Sequence, residues 1–161
     1  MPSWVVSEDI ISQVTVRDAR RDDISRIVAL YRTDELTRKH HGASHSQPGY
    51  YAAFDAIERD PRNRLLVAEH QGVVAGAFQL TFVPDMNPDG RETAIIENVI
   101  VDGALRRGGI GSAMMRWAID EARRHNCRRV SLTSLNARTD AHRFYQRLGF
   151  EQTHAGMKLP L

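Results

Sequence analysis

The chain has few of the residues and patterns that mark several protein classes. Its 161 residues include a single cysteine, Cys127, which excludes an intramolecular disulfide and a cysteine-rich zinc module. No apolar run approaches the roughly 20 residues that a membrane-spanning helix needs, and the N-terminus lacks the regions of a signal peptide. We therefore expect a cytoplasmic protein with no membrane partner.

Lysine is also scarce, because the only lysines are Lys39 and Lys158. The chain has 22 basic and 20 acidic residues, which gives a formal net charge of +2, and the two kinds are interleaved. Without a basic run, we expect no nucleic-acid partner. Arginine forks onto phosphate and carboxylate, so single arginines remain candidates for an anion site.

The length and the lack of a linker-like tract indicate one domain at residues 14–161, preceded by an N-terminal extension at residues 1–13. Apolar periodicity predicts elements in the order β-α-α-β-β-β-α-β-α-β, with residues 150–161 supplying the last one or two strands. This order indicates a mixed α/β sheet. An antiparallel hairpin region comes first, and a β-α-β crossover follows between residues 94 and 134.

A glycine-rich segment at residues 103–111, here called the glycine loop, joins a predicted strand at 94–101 to a helix that begins at Ile110. The first N–H groups of a helix have no intrahelical partner, so they attract anions. Glycines allow these N–H groups to converge on one anion, and Arg106 and Arg107 add charge. The spacing matches neither a P-loop nor a dinucleotide fingerprint. By itself, the glycine pattern fits an anion site and a plain tight turn equally well.

A second segment makes the pattern specific, and together the two resemble the GNAT superfamily of acetyl-CoA-dependent N-acetyltransferases. The pyrophosphate loop Arg/Gln-x-x-Gly-x-Gly/Ala is matched by Arg106-Arg107-Gly108-Gly109-Ile110-Gly111. The family's Ala-x-x-Phe-Tyr-x-x-x-Gly-Phe segment is matched by Ala141, Phe144-Tyr145 and Gly149-Phe150. The resemblance implies the α/β GNAT (acyl-CoA N-acyltransferase) fold. That fold has a mixed, mostly antiparallel central sheet with splayed fourth and fifth strands, flanked by about four helices.

The resemblance also implies acetyl-CoA as the co-substrate and no metal. Backbone amides of the glycine loop would hold the pyrophosphate, and strand backbone after Asn98 would pair with the pantetheine arm. The family often has asparagine at the position of Arg138, so Arg138 or nearby Asn136 is a further expected contact. The complete expected set is Val99, Ile100, Val101, Arg106, Arg107, Gly108, Gly109, Ile110, Gly111, Ser112, Asn136, Arg138 and Tyr145.

Two residues are candidates for proton transfer when an amine attacks the thioester directly in a ternary complex. By the resemblance, Tyr145 is the proton donor to the CoA sulfur; alternatively it is a core aromatic residue. Glu97 lies within an apolar strand, where a carboxylate is costly unless it faces a cleft or a partner. It is either the base or a strand residue paired with an arginine, and the amine could instead lose its proton to solvent.

The acceptor is expected to be a small-molecule primary amine or a peptide amine, bound by residues from 40–54 and 82–92. Three aromatic residues there line a pocket or belong to the core: Tyr50, Tyr51 and Phe54. Three histidines are interpreted as solvated loop residues rather than a metal site: His40, His41 and His45. An alternative function is a non-catalytic acyl-CoA-binding sensor or scaffold. The family often dimerises, and residues 1–13 could support a homodimer.

Overall fold

The structure, a computed structural model, describes residues 13–36 and 47–161. The three predicted loop histidines and all but the last residue of the predicted extension lie outside these ranges. The strands are β1 (Val14–Asp18), β2 (Asn63–His70), β3 (Val73–Val83), β4 (Thr93–Val101) and β5 (Arg129–Leu132). The α-helices in the described ranges are α1 (Ile24–Thr33), α2 (Gln47–Arg59), α3 (Ile110–Arg124) and α4 (Thr139–Arg147).

The strands form one sheet in the order β1-β2-β3-β4-β5, and the prediction of a mixed sheet is confirmed. The pairs β1–β2, β2–β3 and β3–β4 are antiparallel. Gln71 and Gly72 connect β2 to β3 with φ values of 51° and 76°. Two consecutive positive φ values are typical of the two-residue turn whose twist suits a hairpin.

The chain divides into two compact units, residues 1–131 and 132–161. In the first unit, α1 and α2 pack on one face of the sheet through a buried cluster that includes Ile27, Phe54, Val67, Ala77 and Ile100. Helix α3 buries a stripe of apolar residues: Ile110, Ala113, Met114, Met115, Ala118 and Ala122. The second unit contains α4 and the C-terminal segment. The prediction of one domain over residues 14–161 stays a prediction.

A close approach between α3 and β3 explains one glycine. A Cβ atom at Gly76 would lie 2.7 Å from the sulfur of Met114 and 2.9 Å from the carbonyl oxygen of Ile100. Both distances are shorter than a van der Waals contact, so a side chain at this position would displace the helix or the neighbouring strand.

Two sequence predictions differ from the structure. The sequence pattern predicts a helix over Tyr50–Arg59, and helix α2 begins three residues earlier, at Gln47. Pro48 fits there because the first turn of a helix does not use the missing N–H group. The prediction of strands at residues 150–161 is wrong, since this described segment has no strand. Nearly all its side chains are exposed, so no buried face fixes a strand there.

Candidate active site

A β-bulge interrupts the pairing of β3 with β4. Gln79 pairs with Glu97 and Ala77 with Ile100, so β4 has one residue more than β3 between these pairs. Asn98 occupies the bulge with a φ of 54°, in the left-handed region that asparagine enters more readily than most residues. The extra residue places Glu97 on the same face of the sheet as Ile100, which is the face that α1 and α2 cover.

Side-chain hydrogen bonds fix this bulge. The hydroxyl of Tyr31 on α1 donates to the carbonyl oxygen of Asn98 at 2.8 Å. The side-chain amide of Asn98 donates to Gln79 at 3.1 Å, and Gln79 donates to Asn63 at 2.8 Å. Burial and the neighbouring Tyr50 raise the pKa of Tyr31, so this phenol stays protonated and remains a donor at neutral pH.

A cavity of about 180 Å³ lies between α1, α2 and this part of the sheet. We call it the acceptor cavity. Its walls are mostly apolar, and the rings of Tyr31 and Tyr50 are stacked with centroids 6.3 Å apart. The sheet contributes Gln79 and Asn98 as its polar floor. The lining residues are Ile24, Ile27, Val28, Tyr31, Tyr50, Ala53, Phe54, Ile57, Leu65, Gln79 and Asn98.

Of the three aromatic residues expected at a pocket or in the core, Tyr50 and Phe54 line the acceptor cavity and Tyr51 does not. Phe54 belongs to the core as well, with 4% of its surface exposed. None of residues 82–92 lines this cavity. Tyr50 and Phe54 of α2 therefore line the cavity, and Phe54 is part of the core as well. The loop before β4 does not line this cavity.

Glu97 lies beside the acceptor cavity with an exposed side chain. It faces Gln79 across the β3–β4 pair, and Gln79 lines the cavity. Among residues 13–36 and 47–161, no arginine forms an ion pair with Glu97. In the described part of the chain, this carboxylate is therefore available to a ligand.

The glycine loop leads into α3 with an open N-terminus. Arg107 and Gly109 have φ values of 71° and 84°. Gly109 directly precedes α3, and within the described ranges no side chain caps the helix at this position. A Cβ atom at Gly108 would lie 3.1 Å from the carbonyl oxygen of Leu105. The turn is thus tight, and the first amides of α3 remain free to bind an anion.

Helix α1 and the residue after it hold the glycine loop at two points. The carboxylate of Asp102 accepts from the backbone N–H of Ala104 at 3.0 Å and from Arg26 at 2.5 Å. The hydrogen bond from Ala104 has the larger effect and that from Arg26 the next largest, and both lower the pKa of Asp102. Within the loop, the guanidinium of Arg106 lies 2.8 Å from the carboxylate of Asp34, which is buried just beyond α1.

The two arginines of the glycine loop therefore differ. Arg106 was expected to face an anion, but the structure places its guanidinium on Asp34. Arg107 is exposed, and it forms no ion pair with any residue that the structure describes. Of the two, Arg107 is the one whose charge is available to a ligand.

In the second unit, Tyr145 is a partly buried residue of α4 that packs against two aromatic rings. Its ring centroid lies 5.2 Å from that of Phe144 and 5.8 Å from that of Phe150. Burial raises the pKa of Tyr145, and the charge of Arg138 opposes this in part, so the phenol is protonated at neutral pH.

The ends of α4 are well defined. Gly149 has a φ of 93°, and its N–H donates to Gln146 while that of Phe150 donates to Tyr145. This pair of bonds is a Schellman motif with Gly149 at C′, a position that suits glycine because of its positive φ. Before the helix, Asn136 is exposed in a turn, and Arg138 is half-buried at the N-cap position.

A family model described as Acetyltransferase (GNAT) family matches residues 25–150. The chain belongs to this family. The matched range includes the β4 bulge, the glycine loop and Tyr145. The GNAT fold expected from the sequence is confirmed, and the protein is an acetyl-CoA-dependent N-acetyltransferase.

Three similar proteins illustrate the family. The aminoalkylphosphonate N-acetyltransferase of Salmonella typhimurium is 28% identical over 147 residues, which cover 91% of each chain. A crystal structure of a transcriptional regulator from Bacillus halodurans is 36% identical, with a TM-score of 0.85 over 92% of this chain and 99% of that one. A Clostridium acetobutylicum structure, described as a predicted acetyltransferase with acetyl-CoA, is 17% identical. It has a TM-score of 0.71 over 91% of this chain and 96% of that one, and it shows the shared fold.

Sequence reasoning missed Tyr31, Gln79 and Asn98 as residues of the site. The sequence signal that could have indicated Asn98 is its position next to a glutamate inside an apolar strand.

Two further findings concern the described residues alone. They contain no group of three or more potential metal-binding side chains, and none of their helices is long and apolar enough to cross a membrane.

Proposed function

We propose that this GNAT acetyltransferase transfers the acetyl group of acetyl-CoA to a small-molecule primary amine by direct attack in a ternary complex. The observation that supports this best is the arrangement along β4. Glu97 lies beside the acceptor cavity, the bulge follows at Asn98, and the anion-binding glycine loop begins just after the strand ends. Strand β4 thus connects the proposed amine-binding site to the proposed phosphate-binding site.

The glycine loop fits the pyrophosphate of CoA. The backbone amides from Arg107 to Ser112 are proposed to hold it, because the start of α3 is uncapped and the turn is built on glycine. The backbone of Val99 to Val101 is proposed to pair with the pantetheine arm. Asn136 and Arg138 are proposed as further contacts of that arm.

Three groups of the chain are proposed to act on the reacting atoms. The amine arrives as an ammonium ion with a pKa near about 10, and Glu97 accepts its proton directly or through water. The N–H of Val99, just after the bulge, donates to the thioester carbonyl oxygen and stabilises its developing charge. As the C–S bond breaks, Tyr145 gives its phenolic proton to the departing sulfur, and neutral CoA thiol is released. The nitrogen of the new amide loses its second proton to solvent, and solvent returns a proton to Tyr145.

The proposal is tested by following free CoA thiol with a panel of primary amines. Glu97→Gln is expected to lower kcat/KM about 100-fold and to remove the acidic limb of its pH profile. Glu58→Gln is the matched control, because Glu58 is an exposed glutamate of α2 that does not line the acceptor cavity. An unchanged rate and acidic limb in Glu97→Gln would exclude Glu97 as the base.

The acid role of Tyr145 has its own readout. Tyr145→Phe keeps the aromatic packing with Phe144 and Phe150, so we expect normal thermal stability and an almost unchanged KM for acetyl-CoA. Its kcat should fall about 100-fold if the phenol donates the proton. If wild-type protein binds acetyl-CoA tightly and no amine releases CoA, the protein is instead a non-catalytic acyl-CoA-binding sensor or scaffold.

A further inference from the structure

We infer that the preferred acceptor is a primary amine with an apolar, ring-sized body that fills the acceptor cavity, and not an amine with an anionic group. This inference rests on the proposed function. It assigns the body of the acceptor to the cavity between α1 and α2, and its ammonium group to Glu97 beside that cavity.

The size and walls of the acceptor cavity support an apolar body. Its volume is about 180 Å³. An apolar protein cavity of about 150 Å³ is known to bind benzene, so this one has room for a phenyl ring and a short linker. Nine of the eleven lining residues are aliphatic or aromatic, and the stacked rings of Tyr31 and Tyr50 form a flat wall.

The polar atoms of the cavity floor already have partners. The side-chain amide of Asn98 donates to Gln79, and Gln79 in turn donates to Asn63. The hydroxyl of Tyr31 donates to the backbone of Asn98. A phosphonate in this cavity would have to break these bonds to gain donors, and it would lose its hydration as well.

Charge at the cavity favours a cation at the edge and no anion inside. None of the described lining residues is arginine, lysine or histidine. The exposed carboxylate of Glu97 is the charged group that faces Gln79 across the β3–β4 pair. An amine therefore binds with its ammonium group at Glu97 and its apolar end toward α1 and α2. This chemistry differs from that of the aminoalkylphosphonate in the name of the Salmonella relative.

The substrate test compares kcat/KM for 2-phenylethylamine and 2-aminoethylphosphonate, two primary amines that differ in the group attached to the same two-carbon chain. We expect kcat/KM to be at least about 100-fold higher for the phenyl compound, because a phosphonate loses its hydration in an apolar cavity without gaining a cationic partner. Equal values, or a preference for the phosphonate, would overturn the inference and leave acetyl transfer intact. If no amine releases CoA, the proposed function itself fails.

A cavity-filling variant tests where the ring binds. Ala53 lines the cavity yet is exposed, so Ala53→Leu narrows the opening without disturbing the core. We expect the KM for 2-phenylethylamine to rise about tenfold more than that for ethylamine, because only the phenyl compound places a ring in the cavity. The matched control Ala52→Leu alters an exposed neighbour that does not line the cavity, so both KM values should stay as in wild type.

Benzyl alcohol provides a measurement that does not depend on turnover of an aromatic amine. It has the ring but no amine, so we expect competitive inhibition against ethylamine in wild type and weaker inhibition in Ala53→Leu. Equal inhibition of wild type, Ala53→Leu and Ala52→Leu, or no inhibition of any of them, would show that the ring does not bind in the acceptor cavity.

Discussion

At the level of single residues, the hydroxyl of Tyr31 connects the wall of the acceptor cavity to the backbone of the β4 bulge. It donates to the carbonyl oxygen of Asn98, whose φ of 54° is unusual for a residue with a side chain. That carbonyl belongs to the same peptide group as the N–H of Val99. A bond to one end of this peptide group therefore fixes the direction of the proposed oxyanion donor at its other end.

Tyr31→Phe removes this hydrogen bond while the aromatic ring remains. We expect a loss of about 1 kcal/mol in the free energy of unfolding, the usual net value of one hydrogen bond. If the bond orients the N–H of Val99, kcat should also fall about tenfold, with little change in the KM for acetyl-CoA. Stopped assays at saturating acetyl-CoA and thermal melts measure the two effects separately.

Tyr51→Phe is the control for the Tyr31 substitution. Its hydroxyl bonds to Ser25 at the surface, and the residue does not line the acceptor cavity. We expect both kcat and stability to stay near wild type. If Tyr31→Phe melts at a lower temperature but keeps its kcat, Tyr31 supports the fold and has no positioning role.

The two arginines of the glycine loop lead to a second prediction at this scale. Arg107 has a positive φ of 71°, which glycine adopts without strain, so Arg107→Gly should fold at least as stably as wild type. Removing its charge should raise the KM for acetyl-CoA about threefold to tenfold. Added salt should raise the KM of wild type toward that of the variant, because salt screens the attraction between Arg107 and an anion.

Arg106→Ala should behave in the opposite way. It removes the ion pair with buried Asp34, so stability should fall by about 1 to 2 kcal/mol because Arg106 itself is half exposed. The KM for acetyl-CoA should change less than in Arg107→Gly. A larger KM effect for Arg106 than for Arg107 would return the anion contact to Arg106.

Part of the site could be predicted from local sequence and part could not. Glu97 inside an apolar strand and the glycines before α3 are local signals, and the structure places both where the sequence indicates. The partners of Asn98 and Arg106 are not local. Tyr31 is 67 residues from Asn98, and Asp34 is 72 residues from Arg106. Such contacts depend on the packing of α1 against the sheet, which no short sequence window contains.

At the level of elements, glycine and proline positions explain both the correct and the incorrect boundaries. The sequence pattern predicts a strand over Val73–Val83, and β3 has these bounds, because the His70-Gln71-Gly72 turn and Pro84 mark its ends. Helix α2 begins before its predicted start, because Pro48 suits a first turn as well as a loop. The terminal strands were predicted from the apolar pattern of residues 150–161, but this exposed segment offers no buried face to support them.

The contact between α3 and β3 gives a prediction for Gly76. Gly76→Ala would place a methyl group against the sulfur of Met114 and the backbone of Ile100. We expect the free energy of unfolding to fall by about 1 to 3 kcal/mol, the usual cost of overpacking a core. Chemical denaturation measures the change.

Gly103→Ala is the control, since a Cβ atom at Gly103 would meet no atom within 4 Å. Its stability should stay within about 0.5 kcal/mol of wild type, as for most surface substitutions. Equal losses in the two variants would mean that the loss reflects the removal of glycine in general and not the close approach of α3.

At the level of the whole molecule, arginine–carboxylate pairs link distant segments, and they make stability depend on acid pH. Asp102 is one such carboxylate, and its pKa is lowered in the folded state by Ala104 and Arg26. A lowered folded-state pKa means that the stabilisation is fully present above the unfolded value of about 3.9. It is lost as the pH falls through the folded-state pKa.

Asp102→Asn tests this contribution. The melting temperature of the variant should lie below that of wild type at neutral pH, because asparagine does not form the ion pair with Arg26. The difference should shrink as the pH falls below about 4 and through the lowered pKa of Asp102, since the wild-type carboxylate is neutral below that pKa as well. A difference that persists unchanged in acid would assign the effect to packing and not to charge.

Helix α1 takes part in both halves of the first unit's site. Ile27 and Tyr31 line the acceptor cavity, while Arg26 binds Asp102 just before the glycine loop and nearby Asp34 binds Arg106 within it. If binding of one substrate shifts α1, the geometry offered to the other changes, and we expect their binding free energies to be coupled. Thermodynamic linkage then requires the amine to alter the Kd of acetyl-CoA by the same factor as acetyl-CoA alters that of the amine. We therefore expect the two substrates to act as heterotropic effectors of each other through a single helix.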